Sequence, residues 1–244
     1  MAALAALRPG KRLSREQYVR LGAAGAVLAL HFASWIASLE FTSVAVSTLL
    51  VATAPLWNAA YDALVRRRRF PWTVPAAFAG GLAGLALVVG QRSAPAPHPG
   101  HTFEGAALAL LGSFAFAAYL ILVRDVRARA GTREIVTVTY SVAAIVLVAA
   151  ALVARQAPPP PSAHLAWGGI IAMALLSQLL GHTGMNAALR WFSATTVAVS
   201  TLLEPVIAAV AALFIFGETL SGIAIAGAVL LLGSVSVVIW TAPN

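Results

Sequence analysis

Apolar runs of about 20 residues recur along the whole chain, and nearly all the lysine and arginine lies in every second gap between them. A helix of that length crosses a hydrocarbon core of about 30 Å, because each residue rises about 1.5 Å. The runs read as eight helices over roughly 19–39, 42–65, 71–90, 104–123, 134–154, 165–188, 194–217 and 220–241. Turn-forming residues punctuate them at Phe70-Pro71, at Pro95, Pro97, Pro99 and Gly100, and at Pro158–Pro161. The expected fold class is all-α, a polytopic transmembrane bundle and not a soluble core.

Only 10% of the residues are charged, so their placement sets orientation. With the N-terminus inside, the inner side collects Arg8, Lys11, Arg12, Arg15 and Arg20, then Arg66–Arg69, then Arg124, Arg127, Arg129 and Arg133, and finally Arg190. The outer side has Arg92 and Arg155. Positive charge retained on the cytoplasmic side puts both termini in the cytoplasm, with the inner membrane of a bacterium as the expected location. A net charge of +8 would by itself suit nucleic acid. These basic residues flank apolar runs and do not line one polar face, so no nucleic-acid partner is expected. Arg66–Arg69 reads first as a topology anchor, with a lipid-headgroup site as the other reading. Residues 1–18 form a basic cytoplasmic segment without the pattern of a cleavable signal. The absence of cysteine excludes disulfides, a thiol nucleophile and thiolate metal sites.

One heptad occurs twice. Val44-Ala45-Val46-Ser47-Thr48-Leu49-Leu50 returns as Val197-Ala198-Val199-Ser200-Thr201-Leu202-Leu203. Each copy begins a helix with a proline, Pro55 or Pro205, and each is followed by one more apolar span. The charge-derived topology runs the two copies in opposite directions. Related segments of opposite direction suggest an inverted repeat, an architecture common among secondary transporters.

Polar side chains inside lipid are costly and should face the bundle interior or a wet cavity. Thr196, Ser200 and Glu204 stand four apart on the seventh helix, and Gln178, His182 and Asn186 on the sixth. The second helix carries Ser43 and Ser47 near one end and Asn58 and Asp62 near the other, and the first carries His31 and Trp35. The plainer reading of such groups is hydrogen-bonded glue between helices. Glu204 is the sharpest of them, because an acid at a helix centre costs about 2.5–3.5 kcal/mol on insertion scales. Pro205 follows it and frees a carbonyl one turn back, so the pair reads as a coupling site or hinge, or else as a protonated acid repairing the proline break. Asp62 and Arg66 are spaced for a local ion pair. Trp35, Trp57, Tyr119 and Tyr140 could stack on a solute or simply pack. Gly80 and Gly84, like Gly25 and Ala29, favour close helix contact. His98 and His101 lack a third ligand nearby, and no catalytic motif is present, so no metal, cofactor or enzyme activity is expected.

The stretch His31–Ala45 resembles the first repeat of EamA-type transporters, of the drug/metabolite transporter superfamily. Asn186–Arg190, Leu203-Glu204-Pro205-Val206 and Phe216-Gly217-Glu218-Thr219-Leu220 resemble the end of the second repeat. The resemblance implies ten helices in two inverted five-helix repeats, a substrate cavity between the halves and cytoplasmic termini. This chain departs from that pattern in two ways. Its first repeat, 19–90, has three helices, and an external loop at 91–103 leads to a complete second repeat over 104–241. The two absent helices would precede residue 19, through a mis-set start, a truncated paralogue or a gap filled by a partner. Arg66–Arg69 also stands where family members often carry a Gly-Glu-like helix end.

The expected function is a secondary transporter, permease or exporter, moving small organic solutes such as amino acids, metabolites or drugs by alternating access. His31, Trp35, Tyr119, Gln178, His182 and Asn186 are expected to line the cavity, with Glu204-Pro205 as coupling site or hinge. The expected partners are a small solute, the bilayer, protons as coupling ion and a second copy in a homodimer. The alternative is a truncated paralogue that does not transport and serves as a membrane partner subunit.

Overall fold

A computed structural model describes residues 13–42, 44–90, 101–204, 207 and 222–241. Every regular element among them is helical: α1 Arg15–Phe41, α2 Val44–Val51, α3 Ala54–Leu64, α4 Thr73–Gly90, α5 Thr102–Arg127, α6 Thr132–Val153 and α7 His164–Ala172. A π-helix, Met173–His182, leads into α8 Thr183–Ala188. Then come α9 Ala194–Ser200, a 3-10 turn Thr201–Leu203, and α10 Gly222–Thr241. The all-α expectation holds. By length and composition, Arg15–Phe41, Phe103–Arg127, Thr132–Val153 and His164–Ala188 can each cross a membrane. The expected external loop and the Phe216–Leu220 motif lie largely or wholly outside the described residues.

Local chemistry sets the helix ends. Ser14 and Gln17 form a capping box at the start of α1, with Gln17 N–H donating to Ser14 Oγ and Ser14 N–H to Gln17 Oε1. Ser193 caps α9 by accepting from Thr196 N–H at 3.0 Å. The second apolar run is two helices, α2 and α3, where the sequence predicts one. Pro55 cannot donate to the preceding turn, and Thr53 closes a turn onto Leu50 O through both N–H and Oγ1. The sixth run departs from α geometry over its middle ten residues, where the winding is π.

The chain divides into two compact units. One comprises residues 1–29 and 119–192, and the other comprises 30–118 and 193–244. Each therefore draws on both of the expected repeats, 19–90 and 104–241.

In the second unit, the core is made by Val74, Ala77, Phe78 and Leu85 of α4, Val199 and Leu202, and Leu231, Val235 and Val238 of α10. Their spacing gives each helix one inward stripe. Glycines let α4 and α10 approach closely. A Cβ on Gly80 would meet Ser234 Oγ, and one on Gly84 would meet Gly227 O and Leu231 N. The partners fall in number along α10 as they rise along α4, so the two helices run antiparallel. The small-residue pair predicted at Gly80 and Gly84 does form a close contact. In the first unit, a Cβ on Gly25 of α1 would lie 2.6 Å from Thr139 O of α6, so that glycine too marks a tight crossing.

Candidate functional site

In the first unit, α5, α6 and α8 bring polar groups together inside apolar helices. Asn186 is fully buried. Its amide Nδ2 donates to Tyr119 OH at 2.6 Å, to His182 O at 2.9 Å and, more weakly, to Tyr140 OH at 3.4 Å. Tyr140 OH also lies 3.3 Å from Thr183 Oγ1. The Asn186 Oδ1 acceptor is buried without a hydrogen-bond partner among the described residues. Tyr119 and His182 are buried, and Gln178 is half-buried. Gln178 takes part through its backbone: its carbonyl accepts from the Thr183 N–H five residues on, the signature of the π winding. The set presents two phenols, an amide and an imidazole with no acid among them. That chemistry suits hydrogen bonding and stacking on a solute more than charge transfer.

In the second unit, His31 is buried and stacks on Trp35, with ring centroids 5.8 Å apart and 16° between planes. His31 Nδ1 lies 2.9 Å from Gly112 O, and its ring contacts Phe116 at 5.0 Å. α1 and α5 pass closely there: a Cβ on Gly112 would stand 3.2 Å from Ser34 Oγ and 3.4 Å from Trp35 Cβ and N. The Trp35 indole N–H is buried and meets no acceptor among the described residues. Ser38 and Ser47 join α1 to α2 at 2.7 Å. Ser113 of α5 accepts from Trp57 Nε1 and pairs with Thr53 Oγ1.

Asp62 does more than form a local pair. Arg66 Nε lies 3.5 Å from its Oδ1, as the spacing predicts. Its other oxygen accepts from Thr195 Oγ1 at 3.3 Å, and the residue is buried. This bond ties the last turn of α3 to the first turn of α9. Along the seventh-helix stripe, Thr196 is buried, Ser200 is half-buried and Glu204 is exposed. Ser200 Oγ folds back onto Thr196 O and Val197 O. Pro205 and Ser43 lie outside the described residues.

The expected site residues thus fall into two groups. Tyr119, Gln178, His182 and Asn186 belong to the first unit. His31, Trp35 and Glu204 belong to the second. Five polar partners escaped the sequence reading: Thr183, Ser113, Thr195, Thr53 and Ser38. Ser and Thr satisfy their own helix so readily that sequence alone does not mark those that also bond across helices. Among the described residues, no group of three metal-ligating side chains occurs, and His101 pairs with Glu104 at 3.2 Å.

No curated protein matches this chain. Solved structures do, 28 chains in all. One crystal structure superposes with a TM-score of 0.71 over 92% of this chain and 85% of its own, at 15% sequence identity. Identity that low speaks for the fold alone. Residues 103–240, more than half of the chain, match the EamA-like transporter family. With membrane-length apolar helices and that match, the protein is a multi-pass membrane protein of the EamA-like transporter family.

Proposed function

We propose that the chain moves small organic solutes across a bacterial inner membrane by alternating access, with both termini cytoplasmic. The observation that carries this reading is the Asn186 cluster, which lies within the family-matched region. A buried amide with an unfilled acceptor, between two phenols, is a recognition surface for a solute that brings an N–H or O–H donor. Tyr119, Gln178, His182 and Asn186 form one part of the solute path, and His31 and Trp35 another. The antiparallel pairing of α4 with α10 supports an inverted repeat, since these helices close the two expected repeats. Glu204, next to Pro205, is the coupling site or hinge in this reading, with protons as the coupling ion and a homodimer as the assembly.

The test uses proteoliposomes carrying the full chain and a panel of labelled amino acids and cationic and neutral drugs. Uptake by the wild-type chain is expected to fall at least tenfold in Asn186→Ala, and Glu204→Gln should lose its dependence on a pH gradient. A Glu204→Gln protein with unchanged rate and pH dependence would remove the coupling role. Wild-type transport unaffected by Asn186→Ala would remove the cluster from the solute path.

A further inference from the structure

The Arg66–Arg69 run has a geometry that topology anchoring alone does not require. Residues 67–71 between α3 and α4 belong to no helix or strand, and burial alternates along them. Arg66, Arg68 and Phe70 are half-buried, whereas Arg67, Arg69 and Pro71 are exposed. Arg67 and Arg69 are thus the two arginines of the run left exposed, while Arg66 and Arg68 turn toward the protein.

The inner face is tied down. Arg66 pairs with Asp62 and lies over the Tyr61 ring at 5.6 Å. Arg68 N–H donates to Asp62 O at 2.9 Å. Phe70 packs against the α4/α10 core. The turn that starts this run is held in the left-handed region, with Arg67 at φ 53°. That conformation disfavours any side chain but glycine, by about 1–2 kcal/mol per residue. The chain therefore keeps an arginine where a glycine would fit with less strain.

The outer face is bracketed by apolar groups. Leu64 is 80% exposed, Val65 63% and Trp72 79%. Two exposed arginines in a segment flanked by exposed leucine, valine and tryptophan match the boundary between headgroups and acyl chains. Arginine offers forked donors to phosphate oxygens, and tryptophan favours the interfacial layer.

We propose that Arg67 and Arg69 form a binding site for the phosphodiester of an anionic lipid, with Leu64, Val65 and Trp72 seated in the adjoining acyl region. The apolar bracket selects a lipid over a free phosphate ion, which has nothing to place against it. Two positions apart, their Cα atoms lie at most about 7 Å from each other, so the two long side chains can converge on one phosphate. This inference does not depend on the transport reading.

The experiment is native mass spectrometry of the full chain in detergent, titrated with phosphatidylglycerol or phosphatidylcholine, with inorganic phosphate as competitor. The wild-type chain is expected to retain phosphatidylglycerol in preference to phosphatidylcholine, and inorganic phosphate should not displace it. Near a membrane surface a basic residue contributes about 1 kcal/mol, so Arg67→Gln with Arg69→Gln should weaken phosphatidylglycerol binding about 30-fold. Arg67→Lys with Arg69→Lys keeps the charge and guards against a folding defect; it should retain most of the binding. Arg155→Gln is the matched control, because Arg155 has the same φ of 53°. It should change binding less than threefold. Three results would overturn the proposal: an unchanged affinity in the glutamine pair, an equal loss in Arg155→Gln, or displacement by inorganic phosphate at equal concentration.

Discussion

Replacing Gly84 with alanine adds one methyl group at the tightest point of the α4/α10 contact. The new Cβ would stand 2.6 Å from Gly227 O, 2.8 Å from Leu231 N and 3.1 Å from Leu231 Cβ. Ordinary contact begins near 3.4 Å, so the shortfall against the carbonyl is 3.4 − 2.6 = 0.8 Å. Two of the three obstacles are backbone atoms, which cannot rotate away, so the helices must separate. A radial gap of about 0.5–1 Å forfeits a quarter to a half of each dispersion well along the seam. Overpacking of this kind costs about 1–3 kcal/mol, and the helix propensity of alanine returns up to about 1 kcal/mol. A net loss of about 1–2 kcal/mol corresponds to a fall in Tm of about 2–8 °C for a chain of this size. Two further glycines calibrate the effect. A Cβ on Gly80 meets Ser234 Oγ, which can turn aside, so Gly80→Ala should lie within about 0.5 kcal/mol of wild type. Gly233 has nothing within 4 Å, and Gly233→Ala should be neutral or stabilising. The native tryptophans, six in the chain, report unfolding in detergent without a cysteine dye. A Tm for Gly84→Ala at or above that of Gly233→Ala would refute the reasoning.

Arg155 ends α6 in the left-handed region, with Gln156 N–H returning to Ala151 O at 2.9 Å. Arg155→Gly should raise Tm by about 2–4 °C, since glycine takes that conformation freely, whereas Arg155→Ala should not. A glycine variant that melts below the alanine variant would contradict this. Asp62 and Thr195 should be energetically coupled. A double-mutant cycle of Asp62→Asn and Thr195→Val, read by the same melting assay, should give about 0.5–1 kcal/mol. Additive effects would mean that their hydrogen bond contributes nothing.

Much of the fold could be read from the residues because apolar length is so strong a signal in a membrane chain. α4 at Thr73–Gly90 and α6 at Thr132–Val153 lie close to the expected runs, 71–90 and 134–154. The small-residue spacing at Gly80 and Gly84 foretold the contact, because nothing else lets two backbones come so near. The break between α2 and α3 was hidden by hydrophobicity, although Thr53 and Pro55 carried the chemistry of a helix end. The π winding of Met173–His182 left no mark that local sequence could disclose, since it depends on backbone bonding and not on residue type. The Gln178–His182–Asn186 stripe was legible as a polar face. Its grouping of Asn186 with Tyr119 and Tyr140 was not, because helical spacing says nothing of which neighbour supplies the partner. Asp62 illustrates the same limit: its local ion pair followed from the sequence, but its bond to Thr195 spans 133 positions.

The central claim is that half-buried polar side chains in this bundle line a wet path while exposed apolar ones face lipid. The chain has no cysteine, so single cysteines can be placed on a silent background. Gln178 and Ser200 are the polar positions to probe. Leu176, 63% exposed, and Val229, 66% exposed, are the apolar controls, which the account places against lipid. A water-soluble thiol reagent applied to the protein in membranes should label cysteine at 178 and 200 at least tenfold faster than at 176 and 229. Equal rates at all four positions, or faster labelling at 176 and 229, would contradict the account.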